Sequence, residues 1–149
     1  MSEPEDHAAA IRALPDGWVR AMGIEITKAT VDEVVAEWTV DDQHRQPYGI
    51  VHGGVHCGVV ETLASIGAAL VAMPRGQSVV GLDNNTSFLH AVRSGRLRAV
   101  AKPLSRGRKT QIWQVDVSDE STRIVATGRV RLLCLDGDAM VAGGGVKAT

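Results

Sequence analysis

Glu61 stands where a carboxylate is hard to place. The run QPYGIVHGGVHCGVVETLASIGAALV, from Gln46 to Val71, is mostly small or apolar and contains no Lys or Arg. Burying a carboxylate without a partner is costly, so such a group is neutralised, bonded to backbone N–H groups or kept for chemistry. His52, Gly53 and Gly54 open the same run. The first N–H groups of a helix have no partner within it, and the helix dipole adds partial positive charge there. Two glycines let a carbonyl oxygen approach those N–H groups, the geometry of an oxyanion hole for acyl transfer. Glu61 lies nine positions after His52, which is ~13 Å at the helical rise. If both ends act on one carbonyl they must come from two chains, with the two helices antiparallel across a dimer axis and two composite sites.

The elements that have to hold these groups follow from punctuation and periodicity. One long helix is predicted from about Gly53 to Met73, ended by MPRGQ. Gly58, Glu61, Ser65, Ala68 and Ala72 share one face by their spacing, a small and polar stripe beside which another backbone or a ligand fits. The rest of the helix is Val, Leu and Ile, so it is buried on nearly all sides. Before it, residues 1–14 read as a helical segment from Ser2 to Leu14, and MGIEITKAT and DEVVAEWTV as a hairpin. After it come four β-type runs, separated by RSG, RGRK and DEST, whose short connections imply antiparallel neighbours. The predicted fold is α+β: a curved antiparallel sheet wrapped around one central helix, over residues 15–136, followed by a flexible tail at 137–149.

Composition narrows the function. At 149 residues, with 44% hydrophobic and 22% charged, the chain has enough apolar material for one core without disulfide staples. A net charge of -1 argues against a nucleic-acid or anionic-membrane partner. His52, His56 and Glu61 interrupt the longest apolar run, which leaves no expected membrane span. The acidic N-terminal segment has no signal core, and Cys57 and Cys134 form no CxxC pattern, so a cytoplasmic location with two free thiols is expected. His52 and His56 have a zinc-compatible i, i+4 spacing but lack a third ligand, so no metal is expected. His44 and His56 read as surface or interface residues, and Trp18, Trp38 and Trp113 as core or interface aromatics.

The order of elements, together with QPYGIVHGG and VVETLAS, resembles the hotdog-fold acyl-CoA thioesterases of the phenylacetic-acid-degradation type. That group includes 4-hydroxybenzoyl-CoA thioesterases and the proofreading thioesterases of enterobactin synthesis. The resemblance extends over residues 15–135. VVGLDNNTSFLHAVRSG is similar to the family's strand after the helix, and SRGRKTQIWQVDV to its Gly-Arg turn and next strand. The resemblance implies that the Gly53 N–H polarises the thioester carbonyl while His52 and Gln46 orient the thioester. Glu61 of the partner chain is then the nucleophile or general base, with Ser65 positioning water or the carboxylate. It implies no cofactor, a homodimer with shared sites and assembly of dimers into a tetramer. Arg93, Arg106 and Arg108, in or near the turns flanking the fourth strand, are the candidates for the phosphates of coenzyme A. One departure bears on the acyl group: His90 and Ala91 stand where many relatives have Arg-Pro, and Phe88 and Leu89 where some aryl-specific relatives use His. Aryl, phenylacetyl, hydroxybenzoyl and medium aliphatic acyl groups therefore all stay open, as does a carrier-protein thioester. The rival readings on the same fold are a non-catalytic acyl-CoA sensor and an acyl-thioester dehydratase or hydratase.

Overall fold

The computed structural model describes residues 2–145. Two short helices, α1 (Ala8–Arg12) and α2 (Gly17–Ala21), lead into the hairpin of β1 (Glu25–Ala29) and β2 (Val34–Thr39). The long helix α3 spans Gly53–Ala72 and ends in a 3-10 turn at Met73–Arg75. Four strands follow: β3 (Gln77–Phe88), β4 (Arg96–Arg106), β5 (Thr110–Ser118) and β6 (Ile124–Asp136), then a small hairpin of β7 (Met140–Val141) and β8 (Gly144–Gly145). The helix expected over Ser2–Leu14 is thus confined to Ala8–Arg12. Upstream, Asp6 uses its carboxylate instead to accept from the N–H groups of Ala8 and Ala29, both at 2.9 Å, which fastens the segment to β1. Those two bonds, led by Ala29, hold the Asp6 carboxyl below its usual range. Asp16 caps α2, accepting from Val19 N–H at 2.9 Å. Of the expected tail, residues 146–149 lie outside the described residues.

The six large strands form one antiparallel sheet in the order β1-β2-β4-β5-β6-β3. The connections read as RGRK and DEST do join neighbours. The one read as RSG does not: β3 is an edge strand paired with β6, while β4 lies in the interior of the sheet with β5 and β6 between the two. Short connections predict neighbours only when the chain turns straight back, and residues 89–95 instead carry it across the sheet.

α3 fills the concave face. Val59, Val60, Leu63 and Ala64 are sealed against Trp38, Leu97, Trp113, Val115 and Leu132 of the strands. Each such large side chain contributes roughly 1.5–3 kcal/mol on burial. A side-chain chain links sheet to helix: Trp113 Nε1 donates to Gln111 Oε1 at 2.9 Å, and Gln111 Nε2 donates to the Ala68 carbonyl at 3.0 Å. By length and composition Gly53–Arg75 does qualify as a membrane span, contrary to the sequence expectation. An all-round apolar surface serves a sheet-wrapped helix as it serves a lipid-wrapped one, and here the sheet is what covers it. After the helix, Gly76 takes φ +69°, the left-handed conformation that turns the chain into β3.

Candidate active site

The N-terminus of α3 is shaped by its capping residue. His52 Nδ1 accepts from Gly54 N–H at 2.8 Å, so the neutral ring carries its proton on Nε2. Val55 N–H donates to the His52 carbonyl at 2.9 Å. Gly53 N–H has no partner among the described residues, which leaves it as the free donor of the first turn. The preceding loop is braced from both sides: His52 N–H donates to the His44 carbonyl at 2.7 Å, and Val51 N–H to the Val92 carbonyl at 2.8 Å.

Gly53 opens into a cleft of about 370 Å³ lined by Gln46, Ile50, His56, Phe88, Leu89 and neighbouring residues. Gln46 is fixed in its loop, its Oε1 accepting from Tyr48 N–H and its backbone N–H donating to the Ile50 carbonyl. The Phe88 ring lies directly over Gly53, where a Cβ would meet it at 2.8 Å. A side chain at this position would have to displace the ring.

The two histidines expected at the surface or an interface are both buried within the chain. His44 is structural: Nδ1 accepts from Asp41 N–H at 2.8 Å, and Nε2 faces the Met22 carbonyl at 2.7 Å. His56 is different. It is 4% exposed, its Nδ1 has no hydrogen-bond partner, and its ring lies 6.1 Å from that of Phe88 in the cleft wall. Burial pushes its imidazole down to about 4. A folded His56 is thus neutral at pH values where the unfolded chain protonates it. The associated stability is fully present above about pH 6.5 and is lost as pH falls toward 4, an effect on the order of 3 kcal/mol. Thermal midpoints measured between pH 7 and pH 4.5 are expected to fall less steeply for His56→Phe than for the wild type. Parallel curves would refute this.

Glu61 sits on α3 about 12 Å beyond Gly53 at the helical rise, and it is half-buried. No described residue forms an ion pair with it. Its Oε2 accepts from Asn84 Nδ2 at 3.2 Å, and its Oε1 lies against Gly81, where a Cβ would collide with it. Ser65 is half-buried one turn later. The small stripe read from the sequence is divided among other neighbours. Gly58 is covered by the Trp18 indole, and Ala68 and Ala72 are fully buried, so only Glu61 and Ser65 face outward.

The basic candidates separate as well. Arg93 Nη1 donates to the Tyr48 carbonyl at 2.7 Å, beside the Gln46 loop. Arg106 pairs with Asp32 at 2.7 Å, and Arg108 is exposed in the same turn. β4 separates that turn from Arg93 by roughly 30 Å at the rise of a strand, so one chain does not bring all three to one phosphate group. Arg75, not singled out in the sequence, joins Arg106 and Arg108 by donating to the carbonyls of Gly107 and Arg106.

The Thioesterase superfamily profile matches residues 48–126. The Mycobacterium tuberculosis protein Rv1847 is 40% identical over 117 residues, covering 77% of this chain and 84% of its own. Its solved structure superposes with a TM-score of 0.81 at 37% identity, over 83% of this chain and all of that one. The thioesterase HI1161 of Haemophilus influenzae gives a TM-score of 0.76 at 36% identity, covering 81% of this chain and 84% of that one. The 1,4-dihydroxy-2-naphthoyl-CoA hydrolase of Escherichia coli is 33% identical over 122 residues, 81% of this chain and 89% of its own.

Proposed function

The chain belongs to the thioesterase superfamily and has its hotdog fold, and from that premise we propose that it hydrolyses an acyl-CoA thioester to the free acid and coenzyme A. The observation that carries this reading is the pairing of a free Gly53 N–H at the mouth of an apolar cleft with the cation-free carboxylate of Glu61. In the proposed reaction the thioester carbonyl oxygen accepts from Gly53 N–H, which draws charge from the carbonyl carbon. Gln46 and His52, at the rim and cap, orient the thioester, and Ser65 positions water or the carboxylate. Glu61 either adds to the carbon itself, giving a mixed anhydride that water then cleaves, or takes a proton from the attacking water. In both routes the C–S bond breaks and the coenzyme A thiolate leaves, to be protonated in solution.

Because Gly53 and Glu61 of one helix are too far apart for one carbonyl, the reading requires a homodimer with two shared sites. β3 supports this. It is a twelve-residue edge strand with both faces largely exposed from Gly81 onward, including Leu82 and Phe88, and it is paired only with β6 among the described residues. Long exposed edge strands pair with another chain. The further assembly into a tetramer is part of the same proposal. Arg93 is the candidate for the coenzyme A phosphates on the Gly53 side, while Arg106 and Arg108 reach the same molecule only from a different subunit. A cytoplasmic location completes the proposal.

The test is free-thiol release from a panel of aryl and aliphatic acyl-CoAs, with binding measured in parallel. At least one class is expected to turn over. Tight binding of acyl-CoA with no thiol released from any substrate would replace this reading by that of a sensor.

A further inference from the structure

The bulge in β3 places two residues around Glu61 that its sequence spacing would keep apart. Gly81 pairs with Leu132 and Asp83 with Arg131, so Leu82 is an extra residue in the strand. Residues three apart in a regular strand point to opposite faces. With one residue looped out, Gly81 and Asn84 both face α3. Gly81 leaves room for Glu61 Oε1, and Asn84 donates to Oε2.

The Asn84 amide has no freedom left. One Nδ2 hydrogen goes to the Cys57 carbonyl at 3.0 Å and the other to Glu61 at 3.2 Å. Its Oδ1 accepts from Thr86 Oγ1 at 2.7 Å. A backbone carbonyl only accepts, so the amide cannot be flipped. Cys57 and Glu61 are one helical turn apart, which means Asn84 clamps the carboxylate to the helix that carries it.

We propose that Asn84 is a positioning residue: its doubly donating amide, brought onto the helix side by the bulge at Leu82, holds the Glu61 carboxylate in its reactive orientation. The inference rests on the catalytic reading of Glu61 given above. A displacement of about 1 Å in a reacting group costs about 10²-fold in rate, so loss of the clamp appears in kcat. Substrate binding is carried by the Gly53 cleft, so KM stays near its wild-type value.

The test uses the full chain and the acyl-CoA that turns over best. Asn84→Asp keeps the shape and removes both donors. It is expected to lower kcat ~10- to 100-fold with KM within about twofold, at a thermal midpoint that confirms folding. Asn84→Ala, which adds no charge, is the second variant and should lose kcat in the same way. In a Glu61→Gln background, Asn84→Ala should add no further loss, because Asn84 acts through Glu61. If Asn84→Asp and Asn84→Ala keep wild-type kcat, or change KM alone, while Glu61→Gln is inactive, the positioning role is overturned and the catalytic reading stands. If Glu61→Gln is itself fully active, the catalytic reading fails and this inference with it.

Discussion

Glu61→Gln is expected to lower kcat by about 10²- to 10⁴-fold, the range that a general base or its equivalent contributes. The substitution preserves the length and branching of the side chain and removes only its charge and basicity. An amide neither adds readily to a thioester carbon nor takes a proton from water, so both routes proposed for Glu61 are lost together. The fold has little stake in the charge. No described residue pairs ionically with Glu61, and an amide oxygen still accepts from Asn84 Nδ2. Stability is therefore expected to change by less than about 1 kcal/mol. The measurement is steady-state thiol release alongside thermal unfolding. Wild-type turnover in a folded variant would remove Glu61 from the chemistry and leave it a half-buried structural carboxylate.

The helix that carries the site was legible because its ends are punctuated. His52-Gly53-Gly54 and Met73-Pro74 bracket α3 to within a residue of its observed limits. The sheet strands were legible individually, through β-branched runs and turn residues. Their order was not. Nothing local says that the chain leaves β3 at the edge of the sheet and resumes in β4 beyond β6 and β5, since strand order is a matter of long-range pairing. The pair proposed to act, Gly53 and Glu61, was visible because a glycine pair and a carboxylate are out of place in an apolar helix. Their surroundings were hidden for physical reasons. Asn84 reaches Glu61 only because of a bulge, and the one local sign of it is Gly81, an isolated glycine inside a strand pattern. His56 reads in the sequence as a surface or interface residue although its helix is expected to be buried on nearly all sides; its burial beside Phe88 makes it a neutral imidazole. The spread of Arg93, Arg106 and Arg108 was legible by contrast: they read as lying in or near the turns flanking the fourth strand, and they stand at opposite ends of that eleven-residue strand.

Two inactive variants are expected to make an active enzyme when combined in one dimer. Gly53→Val places a side chain against the Phe88 ring and across the approach to the free N–H, so it should abolish turnover. Glu61→Gln abolishes it from the other side. If each site takes Gly53 from one chain and Glu61 from its partner, a heterodimer concentrates both defects in one site and leaves the other intact. A heterodimer purified through two different affinity tags should then show about half of the wild-type kcat per dimer, and a random equimolar mixture about a quarter. The alternative geometry makes the opposite prediction. Were both groups drawn from one chain, every site in the heterodimer would carry one lesion, and the purified heterodimer would be as inactive as either parent. The experiment thus separates the two arrangements by an activity that is either restored or absent. The ~12 Å between the two groups along one straight helix is the reason to expect restoration.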